Sequence, residues 1–358
     1  MVEGDFIYLL PIFALSAALV YFVWYKIKDN IPFLYPTGVV MAKEAKLMDD
    51  SRFEELILMS YEDFVSFLEN TEYGAFIKGA AYAEIERGLI LFKQKLYAEL
   101  YRLIPEQFTD IFDFLLREWD MINLRTVLTG MHAGLSVDEV TARLIEGGTM
   151  FGKISSLVGE DLEKIGATFE GTPLGLAIEE YTKIKNFADI DLTLGKWMIE
   201  DISQKLDGRS EKKLWGVKRY VDISLDVLNL KAMLRGKGSG ATEERIKRFL
   251  VGAGVMRVYS ETGSVREFLE RMRETRYGYL LAKVEEDMMR MEQRIDEAML
   301  KAVKDISQEE AFGFEPIIRF LVMKDAEIRN LRLIAKLKAE GVTNEQIKEM
   351  VLSMRVGG

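Results

Sequence analysis

The stretches Asp120-x-x-Asn123-Leu124-Arg125, Asp226-x-x-Asn229-Leu230-Lys231 and Glu327-x-x-Asn330-Leu331-Arg332 share one pattern, an acid followed by asparagine, leucine and a base. We call this pattern the signature. Each signature asparagine is followed eleven residues later by a glycine: Gly134, Gly240 and Gly341. The asparagines lie 106 and 101 residues apart, whereas solenoid and propeller repeats have periods of roughly 20 to 50 residues. The signature therefore predicts three similar modules of domain size.

The residues around each signature asparagine have the spacing of an amphipathic helix. Apolar side chains stand two positions before the asparagine and one, four and five positions after it, which places them on one helical face. They are Met121, Leu124, Val127 and Leu128; Val227, Leu230, Met233 and Leu234; and Ile328, Leu331, Ile334 and Ala335. The glycine can end such a helix in a left-handed C-cap. A second helix can then begin with its N-cap at Ser136, Thr242 or Thr343.

The signature acid falls inside the apolar face of the expected helix. A carboxylate buried there is costly unless it is paired or hydrogen-bonded. Asp120, Asp226 and Glu327 could therefore be sites that handle an ion or a proton. Alternatively, they are structural groups whose partners are an asparagine, a helix end or a basic residue of the next module. The structural interpretation is the one we favour.

The composition favours an all-α fold. The 358 residues contain six prolines and few alternating β-branched runs, and 49% of them are hydrophobic, which is ample for buried cores. An earlier half of the module also recurs, because Glu72-Tyr73-Gly74 matches Tyr277-Gly278 and the segment 171–175 stands at the equivalent place. Glycine pairs close the first two modules. We expect helical domains at residues 31–150, 151–255 and 256–358, preceded by residues 1–30.

Several classes of site are excluded by the residue content. The chain has no cysteine and one histidine, His132, so it can build neither a disulfide nor a thiolate or imidazole metal site. Its three Gly-Lys pairs are followed by Ile154, Trp197 and Gly238, so no phosphate-binding loop is present. A net charge of -10 gives no general attraction to nucleic acid. We therefore expect no catalytic residue, cofactor, metal, nucleic acid or small-molecule substrate.

The N-terminal segment from Phe6 to Tyr25 is twenty residues long and carries no charge. A helix of this length spans about 30 Å, the thickness of a bilayer core. Trp24 and neighbouring tyrosines suit the membrane interface, and Lys26 and Lys28 follow the segment, which predicts that the body is cytoplasmic. The segment is therefore expected to cross a membrane and to contact lipid. The alternative is a buried helix in a soluble core.

Several stretches resemble the C subunit of the archaeal A-type ATP synthases, which is related to the d subunit of vacuolar ATPases. They are Tyr35-Pro36 with Ala42, Glu44-Ala45-Lys46-Leu47, Glu72-Tyr73-Gly74, and Lys324-Asp325-Ala326-Glu327-Ile328-Arg329-Asn330-Leu331-Arg332. The resemblance runs from about Tyr35 to the C-terminus, and it implies a pseudo-threefold funnel of three similar helical domains. In the segment before Glu44 the chain has Val39 and Met41, where similar proteins often have arginines.

This resemblance implies a non-catalytic rotor subunit rather than an enzyme. Such a protein caps the proteolipid ring, receives the foot of the central shaft, and passes torque between proton or sodium movement and ATP synthesis or hydrolysis. It works at the cell membrane, with its body on the cytoplasmic side. If the body turns with the ring, the N-terminal helix avoids the stationary membrane subunit only inside the ring's central opening. The alternative function is a membrane-anchored helical scaffold of an unrelated complex.

Overall fold

The computed structural model describes residues 15–25, 28, 30–184, 187–238, 240, 242–250, 255, 262, 265–274, 277, 288–306 and 313–354. Every regular element in these residues is helical, so the predicted all-α class is confirmed. The single-turn 3₁₀ helices are Glu106–Phe108 and Lys212–Leu214. The α-helices that follow a helical segment at 15–25 are α1 Ile31–Glu44, α2 Asp50–Leu58, α3 Tyr61–Glu69, α4 Tyr82–Tyr101, α5 Thr109–Phe112, α6 Phe114–His132, α7 Val137–Thr141, α8 Phe151–Ser155, α9 Leu162–Thr168, α10 Pro173–Ile184, α11 Phe187–Leu206, α12 Trp215–Gly238, α13 Glu243–Phe249, α14 Val265–Met272, α15 Met288–Ile306, α16 Glu315–Ala339 and α17 Asn344–Met350.

The three signatures lie on α6, α12 and α16, and the corner after each of these helices has one geometry. The glycines after the signatures adopt left-handed φ angles, which a residue with a Cβ adopts only at a cost: 66° at Gly134, 67° at Gly240 and 73° at Gly341. The short helices α7, α13 and α17 follow. Their N-cap hydroxyls, on Ser136, Thr242 and Thr343, accept hydrogen bonds from backbone N–H groups three residues later. This is the corner that the glycines and capping residues predict.

The six helices longer than 18 residues in the described chain contact one another in a closed cycle. Helix α4 contacts α6, α6 contacts α11, α11 contacts α12, α12 contacts α15, and α15 contacts α16. Helix α16 then contacts α4, so the last part of the chain packs against the first. Each signature helix thus lies between the preceding long helix of its own copy and the long helix of the next copy.

The hydrophobic clusters show how the signature helices are arranged along their lengths. Near their N-terminal ends, all three contribute to one buried cluster, for example with Leu115, Val217 and Ile317, which belong to the three predicted domains. Nearer their C-terminal ends, α6 packs with α9 and α10 in a second cluster and α12 packs with α15 in a third, while α16 stays in the first. The signature helices therefore meet at their N-terminal ends and have different neighbours at the other end. We call the meeting point the apex.

The predicted membrane segment is only partly described. Residues 15–25 form a helix whose side chains are all exposed, while Phe6 and the other residues up to 14 lie outside the described part. Among the described residues, no helix combines the length and the apolar character that a membrane crossing requires. The membrane crossing therefore stays a prediction.

Candidate functional site

The signature asparagines hold the extended chain that follows the corner. The Asn123 side-chain amide donates to the Ile145 carbonyl at 2.8 Å, and the Ile145 N–H donates to Asn123 Oδ1 at 2.8 Å. Asn330 makes the same pair of bonds with Leu352, at 2.9 Å each. Both partners lie 22 residues after their asparagine. Asn229 is also fully buried, and the equivalent position, 251, lies outside the described residues. In the two described copies the asparagine side chain thus satisfies both the N–H and the carbonyl of one backbone residue.

The signature aspartates hold the backbone 29 residues further along. Asp120 accepts hydrogen bonds from the Thr149 N–H at 2.9 Å, the Thr149 hydroxyl at 2.7 Å and the Met150 N–H at 2.8 Å. Asp226 accepts one from the Val255 N–H at 2.8 Å and one from the Tyr277 hydroxyl at 2.7 Å. Both aspartates thus fasten a signature helix to the segment where the next module begins, and Tyr277 belongs to that next module.

Glu327 occupies the same position in the third copy but binds the start of the chain. Its carboxylate accepts hydrogen bonds from the Met48 N–H at 2.8 Å, from the Tyr73 hydroxyl, and from the Lys324 ammonium at 2.7 Å. Lys324 is 1% exposed and also donates to Glu72 at 2.8 Å. Burial raises the pKa of Tyr73 well above its usual value, and the charge of Glu327 raises this pKa further. The phenol therefore stays a donor at neutral pH.

The partners of the signature acids support the structural interpretation. Every partner named above is a donor: a backbone N–H, a hydroxyl or an ammonium. A site for a metal cation would instead need several oxygen atoms that direct their lone pairs at the cation. Glu327 and Tyr73 pair the third copy with the first, and Asp226 and Tyr277 pair the second with the third. The acids thus join neighbouring modules, and the fully buried Glu327 joins the two ends of the chain.

One aromatic side chain at the apex touches all three copies. The Phe33 ring of α1 lies 6.3 Å from the Phe108 ring and 4.8 Å from the Phe314 ring, centroid to centroid. The Lys213 ammonium lies 5.6 Å from the Phe33 centroid. Phe108, Lys213 and Phe314 precede α6, α12 and α16 by a few residues, so each marks the start of one signature helix. Phe33 is 1% exposed, and the N-terminal end of α1 is therefore held where the three helices meet.

A basic cavity lies between α4, α6 and α16, beside most of α6 and the middle of α16. It has a volume of about 490 Å³. A neighbouring groove of about 610 Å³ runs beside α16 and α17 and shares Arg329 and Arg332 with the cavity. The cationic side chains that line the cavity are Lys93, Arg125, Arg143, Arg329 and Arg332, against the acids Glu118 and Asp325. Two of the three signature bases therefore face this space.

The floor of the cavity is a partly buried charged cluster. Lys93 bridges Glu118, at 2.6 Å, and Asp325, at 3.1 Å, and Tyr97 donates to Asp325 at 2.6 Å. Burial by itself lowers the pKa of Lys93, but the two carboxylates outweigh it and raise this pKa. Burial raises the pKa of Asp325, and the Lys93 charge opposes part of that rise. The fully buried Trp119 also lines the cavity, and among the described residues its indole N–H has no acceptor.

The sequence matches the family described as ATP synthase (C/AC39) subunit over residues 36–350. The chain belongs to this family. Three curated relatives are similar over most of their length, and each is described as the C subunit of an A-type ATP synthase. The protein of Methanocaldococcus jannaschii is 27% identical over 352 residues, covering 91% of this chain and 88% of its own. The protein of Thermococcus kodakarensis is 28% identical over 332 residues, covering 89% and 90%. The protein of Pyrococcus abyssi is 27% identical over 369 residues, covering 96% and 98%.

Membership of the ATP synthase (C/AC39) family confirms the resemblance inferred from the sequence. It makes the chain a non-catalytic subunit of an ATP synthase, as expected. It also argues against the alternative of a scaffold in an unrelated complex.

Sequence reasoning does not identify several residues that shape these sites. The signature assigns no role to Lys324, Trp119 or Phe33. An apolar residue does recur 15 or 16 positions before each signature asparagine, at Phe108, Leu214 and Phe314, near the place where Phe33 packs. That recurrence is a usable signal for the apex. The lysine and the tryptophan have no such signal, because each depends on contacts between distant parts of the chain.

Proposed function

We propose that this protein couples the proteolipid ring of an ATP synthase to the central shaft and transmits torque between them. The observation that carries the proposal is the polarity of the signature helices, which meet at the apex and have different neighbours at their other ends. The closed cycle of six helices supports a funnel of three similar domains, 31–150, 151–255 and 256–358, with the apex as its narrow end.

The apex is the end we assign to the ring. Helix α1 begins there, and it follows the apolar N-terminal segment directly in the sequence. Exposed apolar residues continue along α1 at Ile31, Leu34, Tyr35 and Met41, which fall on one helical face. Proteins rarely leave such a surface uncovered, and it suits contact with ring loops and the membrane surface. We also propose that the body is on the cytoplasmic side of the cell membrane, because Lys26 and Lys28 follow the apolar segment in the sequence.

The basic cavity is the surface we assign to the shaft. The whole chain has a net charge of -10, whereas the cavity is lined by four arginines and a lysine against Glu118 and Asp325, so its lining is net positive. Lys93, Arg329 and Arg332 already form ion pairs with acids of this chain, which makes Arg125 and Arg143 the cations to test. A net positive lining favours a partner that carries carboxylates and speeds its association. Trp119 lines the same space, and its indole N–H, which has no acceptor among the described residues, adds a hydrogen-bond donor for such a partner. The expected occupant is an acidic helical segment at the foot of the shaft.

Charge reversal tests the shaft site. The double variant Arg125→Glu/Arg143→Glu should weaken binding of the purified shaft subunits at least about tenfold, since two repulsive contacts of about 0.7 kcal/mol each are enough for that factor. Lys164→Glu is the matched control, because Lys164 is exposed and lies outside the cavity lining. Equal affinity of the double variant and the control would show that the shaft binds elsewhere. ATP hydrolysis by the purified protein alone would contradict its non-catalytic role.

A further inference from the structure

We propose that the apex fixes the N-terminal helix on the axis around which the three modules are arranged, so that this helix enters the central opening of the ring and is covered there by lipid. The proposal rests on the proposed function, because it takes the apex as the end that faces the ring. It adds a binding partner, lipid inside the ring, and a position for a segment outside the shared module.

The first observation is the placement of Phe33. A side chain near an axis of threefold arrangement contacts equivalent parts of all three copies, whereas a side chain off the axis contacts one or two. Phe33 contacts Phe108 and Phe314 through their rings and Lys213 through its ammonium, one partner from the start of each signature helix. The chain therefore enters the body at the axis.

The second observation is that the attachment of α1 to the body is firm. Val40 and Thr37 are fully buried, and Glu44 pairs with Arg319 of α16 at 2.6 Å. Helix α1 also packs against α16. The point from which the N-terminal segment leaves the body is thus set by packing at both ends of α1 and turns with the body.

The third observation is the surface of residues 15–25. The segment carries no charge, and its large apolar side chains are between 47% and 75% exposed, on every side of the helix. A helix that is apolar all round has no face suited to water, and its favoured surroundings are lipid tails. Lipid is therefore the occupant that covers this surface.

The rotation of the body then selects the location. A helix displaced from the axis would sweep a circle through the membrane at every turn and would meet the stationary membrane subunit. A helix on the axis only spins in place. The axis of the ring passes through its central opening, so an axial exit from the apex leads the helix into that opening.

Site-specific photocrosslinking in the assembled ATP synthase tests this placement. The chain has no cysteine, so Ala17→Cys and Met41→Cys each provide one thiol for a benzophenone maleimide, once cysteines of the other subunits have been replaced. Ala17 is in the N-terminal segment, and Met41 is on the exposed face of α1. Lys164→Cys serves as the control on the body.

We expect Ala17→Cys to give photoadducts with the proteolipid and with lipid, and ion-coupled ATP hydrolysis to persist after labelling. An adduct with the stationary membrane subunit, or with neither proteolipid nor lipid, would overturn the axial placement. Met41→Cys reports separately on the proposed function, because it should link to the proteolipid whether or not the helix is axial. If Met41→Cys fails to link to the ring, the assignment of the apex is wrong. The Lys164→Cys control should link to neither.

Discussion

Replacing Asp120 by alanine tests whether the signature acid is structural. In the native protein the carboxylate is fully buried and accepts three hydrogen bonds from Thr149 and Met150. Hydrogen bonds to a charged acceptor contribute about 1.5–3 kcal/mol each, and removal of the acceptor leaves buried donors unsatisfied. Water that enters the vacated space recovers part of the loss. We therefore expect Asp120→Ala to lower the free energy of unfolding by about 3 kcal/mol.

Asp120→Asn separates hydrogen bonding from side-chain volume. The amide is the same size as the carboxylate, but only its oxygen accepts, while its NH₂ group donates. The NH₂ group must then face an N–H or hydroxyl donor of Thr149 or Met150, and neither of the two facing donors has an acceptor. The expected loss is about 2 kcal/mol, smaller than for alanine because one oxygen keeps its partners.

Two measurements check this prediction. Guanidinium denaturation of the purified chain in detergent gives the free energy of unfolding, and hydrogen exchange of the Thr149 and Met150 amides reports the local loss. Glu146→Ala is the control, since Glu146 is exposed and a surface change of this kind stays within about 0.5 kcal/mol. If Asp120→Ala leaves stability and exchange unchanged but abolishes ion transport by the complex, the acid handles an ion and the structural interpretation is wrong.

Three further outcomes follow from the structure. Burial raises the pKa of Tyr73 and of Tyr97, and raises that of Tyr220 to about 12. Above pH 10 the unfolded chain loses phenolic protons that the native protein keeps, so stability should fall as pH rises, by up to about 1.4 kcal/mol per pH unit for each group. Denaturation between pH 8 and 11, with phenolate absorbance as the readout of titration, checks this sign. Lys324→Met should cost about 3–5 kcal/mol because it leaves the buried Glu327 carboxylate without its cation, and a loss below about 1 kcal/mol in the same denaturation assay would contradict it. Gly341→Ala should cost about 1–2 kcal/mol from the left-handed backbone alone, since no atom lies within 4 Å of the added Cβ, and Gly341→Asn should cost less in thermal unfolding.

The parts that the sequence predicted well are those that depend on neighbours along the chain. The C-capping glycine, the N-cap hydroxyl and the apolar face of each signature helix act within one or two turns, so spacing alone predicts them. The partners of Asp120 and Asn123 were not predicted, because they lie 22 to 30 residues away, beyond the corner. Spacing could show that these polar groups need partners but not where the chain returns to supply them.

The closure of the cycle was beyond sequence reasoning for a different reason. Tyr73 and Tyr277 were visible as matching residues, but their partners were not. Tyr73 of the first copy pairs with Glu327 of the third, and Tyr277 of the third copy pairs with Asp226 of the second. Internal repeats show that modules are alike and do not show which half of one module packs on which half of another. The offset arrangement becomes visible only through contacts such as that of Met48 with Glu327, which are 279 residues apart.

That closure bears on how the protein would carry load in the torque-transmitting role that we propose. Around the cycle of six helices, five contacts join elements that follow one another in the chain, while the contact of α16 with α4 joins its two ends without a covalent link. Several charged contacts bridge this seam: Lys324 with Glu72, Arg332 with Glu86, Lys93 with Asp325, and Arg319 with Glu44 nearby. Apolar packing tolerates sliding, whereas ion pairs and hydrogen bonds of fixed geometry specify one register. If the protein transmits torque as we propose, the load across the α16–α4 contact is carried without a covalent link, and the buried Lys324, Glu327 and Tyr73 hydrogen bonds hold the register there.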